Sequence, residues 1–279
     1  MSKSRKSHEE QLAPVAILGG GNVGRALARG WVEQGRFEAG EIHITRRHPE
    51  KLSALAEAGF AIGADNRAAI ERARHVIVAV QPQQLRELLV DIGDSLDPAR
   101  HTLISVVSGA SIRQIAELVG DEVTIVRAMP NTAISIGESM TCLAAPPEAA
   151  EALARARTLF DAVGTTAQID ESMMEAATAL CACGIAFFLR SIRAASQGGI
   201  EIGFHPEDAL MMAAQTAKGA AGLLLGHGAH PEAEIDRVTT PRGCTIAGLN
   251  EMEHQGFSSA LIKGITTSAR KAVELYRDR

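Results

Sequence analysis

The first half of the chain alternates short apolar runs with amphipathic segments. Runs rich in β-branched residues lie at 15–19 (VAILG), 41–45 (EIHIT), 75–80 (HVIVAV), 101–107 (HTLISVV) and 123–129 (VTIVRAM). Segments of helical spacing lie between them, near 23–34, 49–58, 67–73, 83–91 and 111–118. Strands with no polar face, separated by helices, predict a parallel sheet covered on both sides. "MTCLAA" and "EALARARTLFDAVG" add a further strand and helix. Residues 12–168 are therefore expected to form a doubly wound α/β domain, behind a loose polar tail at 1–11.

Beyond 168 the strand-like runs stop, and 169–279 is expected to be all-helical. One long helix starts at "SMMEAATAL" and ends at Gly198–Gly199. A second carries Pro206 in its first turn, and two more cover "TIAGLNEMEHQG" and "FSSALIKGITTSARKAVELYR". These helices are apolar over more than one stripe, which predicts a second buried face against another subunit.

Composition narrows the partners. Aromatic residues make up only 3% of the chain, so the core must be aliphatic. A net charge of −5, with no basic tract interleaved with aromatics, argues against a nucleic-acid surface. The opening "MSKSRKSHEEQ" lacks the apolar run of a secretory leader. No apolar stretch approaches the ~20 residues that cross a bilayer. A cytoplasmic protein without a membrane partner is expected. Cys142, Cys181, Cys183 and Cys244 are expected to be buried thiols. His227 and His230 fit a loop better than a metal pair, so no metal is expected.

Gly19-Gly20-Gly21-Asn22-Val23-Gly24 fits the G-x-G-x-x-G pattern, with a strand before it and a helix after it. Gly19 would permit the tight turn, Gly21 the approach of a pyrophosphate, and Gly24 close strand–helix packing. The amides of Asn22 and Val23 open the helix and would face the phosphates. A site for a non-phosphorylated dinucleotide would place an acid at the end of the second strand. Thr45, Arg46 and Arg47 stand there instead, suiting a 2′-phosphate and hence NADPH, or else forming an exposed basic loop. Pro82 turns the chain away just past a strand's carboxyl end, the edge where ligands sit. Asn131 and Thr132 fit either a ligand contact or a turn. In "TTPRGCTIAGL" a helix begins near Cys244–Thr245; its free amides could hold a carboxylate beside Arg242, and Thr245 could cap the helix or face a substrate.

Together, "ILGGGNVGRALARG", "AVQPQ", "RAMPNTAISIGESMT", "GIEIGFHPEDALMMAAQTAKGAAGLLL" and "TTPRGCTIAGLNEMEHQGFSSALIKGITTSAR" resemble the pyrroline-5-carboxylate reductase family. The likeness spans residues 14–275. It implies an N-terminal Rossmann domain followed by an all-helical dimerisation domain, as a homodimer that admits a larger assembly of dimers. It further implies NADPH along Gly19–Gly24, with Thr45, Arg46, Arg47 and Asn66 near the 2′-phosphate and Ala79, Val80 and Pro82 beside the nicotinamide. The carboxylate of a cyclic imine would sit on the amides of Gly243, Cys244 and Thr245, with Thr245 reaching the ring nitrogen and Thr240 as a further contact.

The chain departs from that family at Cys181-Ala182-Cys183-Gly184-Ile185, at Gln81, at Lys218 and at Arg242 beside the carboxylate position. The resemblance implies direct hydride transfer to the C=N carbon of 1-pyrroline-5-carboxylate, giving L-proline. The departures keep open a different cyclic imine, or an NADP(H)-binding sensor with weakened turnover. A hydroxy-acid dehydrogenase is disfavoured, because residues 172–197 carry no lysine to act as its acid/base.

Overall fold

The structure is a computed structural model that describes residue 12 and residues 14–274. The expected tail at 1–11 lies outside the described residues. The chain divides into two compact units. One comprises residues up to Ala182 together with Ser268 onward, and the other Cys183–Thr267.

The first unit holds an eight-stranded sheet of order β3-β2-β1-β4-β5-β6-β7-β8. Its strands are β1 (Val15–Leu18), β2 (Ile42–Thr45), β3 (Ala61–Gly63), β4 (His75–Val78), β5 (Thr102–Ser105), β6 (Thr124–Met129), β7 (Ser139–Ala144) and β8 (Gly164–Gln168). The helices between them are α1 (Asn22–Glu33), α2 (Ser53–Glu57), α3 (Asn66–Arg72), α4 (Pro82–Ile92), α5 (Ile112–Val119) and α6 (Ala150–Asp161). The chain runs one way across the sheet from β1 to β3, then restarts beside β1 at β4 and runs the other way. The C-terminal ends of β1 and β4 therefore flank a topological switch point, where such sheets bind ligands.

Strand β1 explains why the apolar runs are continuous. Val15 and Ile17 pack in one core with Trp31, Leu159 and Phe160. Ala16 and Leu18 pack in the core on the opposite face, with Ile70, Leu85 and Leu89. Neither face meets water, so neither can be polar. Trp31 is fully buried; its indole N–H donates to the carbonyl of Leu159 at 2.7 Å, and its ring meets Phe37 and Phe160 edge-on.

The sheet departs from the expected all-parallel pattern. β7 runs antiparallel to β6, while β8 is parallel to β7. Only residues 130–138 join β6 to β7, too few for a crossover helix, so the chain turns straight back. β3 and β8 escaped the sequence pattern because they are short edge strands without a buried apolar run.

The expected single helix from 172 is also interrupted. A short α7 (Met174–Ala177) passes into a π-turn at Thr178–Ala182 before α8 (Gly184–Glu201). The Asn131 side-chain amide donates to the carbonyl of Cys181 at 3.3 Å, and the Thr178 hydroxyl donates to that of Met174 at 2.8 Å. These bonds satisfy carbonyl groups beside a loosened helical ladder. Nor does the helix stop at Gly198–Gly199. It continues to Glu201, because Gly199 lets Ala209 pack against it, and the stop falls at Gly203 with φ +112°. Among the described residues, the helical run Glu171–Glu201 is long and apolar enough to cross a bilayer, contrary to the expectation that none is.

The second unit contains α8, α9 (Pro206–His227), α10 (Pro231–Val238), α11 (Cys244–His254) and the first part of α12 (Phe257–Glu274). It leaves Phe188, Leu189, Ile202, Leu210, Met211 and Leu225 exposed, the unpartnered apolar surface that the sequence pattern implies. His227 is the last residue of α9 and His230 the N-cap of α10; residues 228–230 between them are the expected loop, and α10 itself is a helix that the sequence pattern does not single out.

Candidate functional site

The glycine loop sits on the carboxyl end of β1 and is pinned from both sides. The amides of Gly19 and Gly20 donate to the carbonyl of Thr45 at 3.2 and 2.8 Å. A Cβ on Gly19, whose φ is +116°, would lie 2.5 Å from the carbonyl oxygen of Ala79. A Cβ on Gly24 would run into the carbonyl oxygen of Gly19. Both positions thus require glycine for internal reasons.

Gly21 differs. Its φ is −80°, open to any residue, and a Cβ there would meet nothing within 4 Å. No side chain caps α1, so its first-turn amides at Asn22 and Val23 keep their positive end for an anion. A loop with room above Gly21 and an uncapped helix start fits a dinucleotide pyrophosphate.

A cleft of about 600 Å³ opens beside this loop, lined by Gly19–Gly21, Thr45–His48, Asn66, Ala79 and Val80. Of the expected cofactor residues, Asn22, Val23 and Pro82 do not line it, and Gly24 is buried in the strand–helix contact. Thr45 is buried, and its hydroxyl donates to Asn66 Oδ1 at 2.6 Å. That bond fixes which end of the Asn66 amide is left to donate. Arg46 donates through Nη1 to the carbonyl of Gly20 at 3.0 Å, linking the basic strand end to the glycine loop.

The cleft has a wall that the sequence reading did not single out. Gln84, Glu87, Leu88 and Asp91 line it from α4. Their spacing is one helical stripe. Carrying that stripe forward from Gln81, which also lines the cleft, was the signal available to find them. Glu87 accepts from Arg47 at 2.6 Å, and Asp91 from Arg67 at 3.2 Å.

Asn131 resolves to a structural part. It is buried; its Oδ1 accepts from the Ala133 amide at 3.0 Å, and its Nδ2 bridges to Cys181. Thr132 opens the short 3-10 turn that follows. Arg127, also buried, pairs with Glu171 at 3.2 Å and Glu175 at 3.5 Å.

The cysteines depart from the expectation of four buried thiols. Cys142 is buried, Cys181 and Cys183 are partly exposed, and Cys244 is exposed. The π-turn brings Cys181 Sγ to 3.9 Å from Cys142 Sγ. The two thiols share one hydrogen bond, and with Cys181 as the acceptor the Cys142 pKa rises while that of Cys181 falls to about 7. Alkylation of Cys181 by iodoacetamide, followed by peptide mass spectrometry, is expected to reach half its plateau rate near pH 7. In Cys142→Ala that midpoint should move toward the ordinary thiol value of ~8.5.

In the helical unit, Thr240–Gly243 forms a turn closed by the Gly243 amide donating to the carbonyl of Thr240 at 2.9 Å. A Cβ on Gly243 would lie 2.5 Å from Thr240 Oγ1, so the turn admits only glycine there. Arg242 is exposed and holds φ +61°, uncommon for a side chain with a Cβ. α11 starts at Cys244 with Gly243 as its N-cap and no side-chain cap. Thr245 lies one residue inside the helix and does not cap it. The amides of Cys244 and Thr245 are first-turn donors.

Comparisons with known proteins extend this picture. Residues 171–275 match the family model described as pyrroline-5-carboxylate reductase dimerisation, and residues 14–109 the model described as NADP oxidoreductase, coenzyme F420-dependent. The chain is 52% identical over 277 residues to pyrroline-5-carboxylate reductase 1 of Dictyostelium discoideum, covering 95% of itself but 50% of that protein. The chain thus spans half the length of that relative. It is 49% identical over 274 residues to pyrroline-5-carboxylate reductase 2 of the same organism, covering 92% and 91% of the two chains. Its fold is that of the Plasmodium falciparum pyrroline carboxylate reductase, solved with NADP bound, at TM-score 0.86 and 23% identity over 95% and 98% of the two chains.

Proposed function

The chain belongs to the pyrroline-5-carboxylate reductase family, and from that premise we propose that it reduces 1-pyrroline-5-carboxylate to L-proline with NADPH. The observation that carries the cofactor half is the contrast within the glycine loop. Gly19 and Gly24 answer to the protein's own backbone, whereas Gly21 faces open space at an uncapped helix start. When bound, NADPH supplies the hydride.

The residues divide the work as follows. The Gly21 loop and the amides of Asn22 and Val23 hold the pyrophosphate. Arg46, Arg47 and Asn66, the last positioned by Thr45, hold the adenosine ribose and its 2′-phosphate. Ala79, Val80 and Pro82 border the nicotinamide end. In the helical unit, the amides of Gly243, Cys244 and Thr245 take the substrate carboxylate, with Thr240 and Arg242 beside it. The C=N carbon gains the hydride and the nitrogen holds a proton, which the Thr245 hydroxyl keeps oriented. Catalysis then rests mainly on placing two bound molecules, which needs no strong acid–base pair.

We further propose a cytoplasmic homodimer formed through the helical domain, open to a larger assembly of dimers. The exposed apolar surface of α8 and α9 supports the dimer.

The test is NADPH oxidation at 340 nm with 1-pyrroline-5-carboxylate, then with other cyclic imines and with hydroxy and keto acids. Turnover with 1-pyrroline-5-carboxylate is expected. Tight NADPH binding without turnover of any imine would replace this reading with a sensor, and turnover of another imine alone would replace the substrate. Thr245→Ala is expected to lower kcat/KM about tenfold, the worth of one hydrogen bond made at the reacting nitrogen. An unchanged kcat/KM would remove Thr245 from the mechanism.

A further inference from the structure

β2 ends without the carboxylate that would hold the ribose hydroxyls of a non-phosphorylated dinucleotide. The fold brings one to the same cleft from a different element. Glu87, on α4, lines the cleft that Thr45, Arg46 and Arg47 line, and its Oε2 accepts from Arg47 Nη2 at 2.6 Å. The two side chains are 76% and 64% exposed, so solvent screens the pair and Arg47 is held weakly. Arg46 is engaged differently, with the carbonyl of Gly20. Arg47 is therefore the cation of this strand end whose partner is a carboxylate.

We propose that Glu87 is a specificity-determining residue that limits the enzyme's preference for NADPH over NADH. The inference rests on the reading of this cleft as the NADP(H) site. A 2′-phosphate carries nearly two negative charges and draws Arg47 into a bidentate bond. To form it, Arg47 must leave Glu87, and the freed carboxylate then stands as a like charge beside the phosphate. The 2′-hydroxyl of NADH is neutral and lets the Arg47–Glu87 pair persist. The cost of Glu87 thus falls on one dinucleotide alone. Gln at this position keeps the side-chain length and helix propensity while removing the charge.

The experiment is isothermal titration of the full chain with NADPH, NADH, 2′,5′-ADP and 5′-AMP, for wild type, Glu87→Gln, Arg47→Gln and the double variant. Glu87→Gln is expected to raise the NADPH-to-NADH affinity ratio about threefold to tenfold, less at high salt. The ratio for 2′,5′-ADP over 5′-AMP should follow it. Arg47→Gln should lower both ratios, and Glu87→Gln should add little in that background. A ratio within twofold of wild type in Glu87→Gln overturns the proposal, as does an equal shift for both dinucleotides or a full effect without Arg47. Wild-type protein that binds neither dinucleotide would overturn the cofactor reading of the cleft, and this proposal with it. Wild-type binding with an unmoved ratio overturns the role of Glu87 alone.

Discussion

Gly24→Ala is expected to bind NADPH about 100-fold more weakly than wild type and to lose roughly 1–3 kcal/mol of stability. The new methyl group would enter the contact between α1 and the carbonyl of Gly19, with Ile17 Cγ2 at 3.0 Å on its other side. Backbone atoms and a core side chain offer no room, so α1 must move off β1. The helix start and the glycine loop then cease to point at one place, and two charge-assisted hydrogen bonds to phosphate are lost. At about 1.5 kcal/mol each, those bonds account for the weakened binding.

Gly21→Ala serves as the control. It should lose a comparable share of NADPH affinity while its stability stays within about 0.5 kcal/mol of wild type, since the protein presents nothing for its methyl to strike. Titration calorimetry and urea denaturation on both variants check the pair. If Gly21→Ala binds NADPH as tightly as wild type, the pyrophosphate does not lie over this loop.

The second large effect concerns folding. Trp31→Ala is expected to destabilise the first unit by about 3–5 kcal/mol, measured by thermal or urea unfolding. The indole is fully enclosed, stacks edge-on against two rings, and satisfies the carbonyl of Leu159 across the α1–α6 interface. Alanine would leave a large cavity and an unpaired carbonyl together. Against a typical stability of ~5–15 kcal/mol, that loss approaches the whole margin. Trp31→Phe refills much of the volume and should cost clearly less. Equal losses for the two variants would show that the hydrogen bond, not the packing, dominates.

Which parts of the molecule could be read from the chain follows from how local their causes are. The glycine loop was legible because strand, turn and helix constraints fall within ten residues. The continuous runs of β1, β4 and β5 were legible because burial on both faces confines polar residues to the strand ends, His75 in β4 and Thr102 and Ser105 in β5. β3 and β8 were not, since an edge strand that is half exposed carries no apolar signature. The π-turn depends on Asn131 reaching Cys181, a contact 50 residues apart. Glu87 reads as an ordinary surface glutamate until topology sets it against Arg47, 40 residues away. The surplus apolar character of the helical domain was visible, but the helix break at Gly198–Gly199 was misread, because packing against Ala209 can keep a glycine inside a helix. In the helical unit, the start of α11 near Cys244 was legible from sequence, whereas its lack of a side-chain cap and the left-handed backbone at Arg242 were not.

The two-faced burial of β1 has a consequence for where the cofactor loop can stand. Val15 and Ile17 belong to one core, and Ala16 and Leu18 to the other. A slip of one residue would send each side chain to the wrong layer, so the strand has a single tolerable alignment with β2 and β4. That alignment delivers Gly19 to the carbonyls of Thr45 and Ala79. Inserting or deleting one residue within 15–18 should therefore silence the nucleotide site even if every glycine is kept, whereas the exposed charges around the cleft remain free to vary. The chain thus separates what must stay fixed for a dinucleotide to bind from what can drift to change which one it prefers.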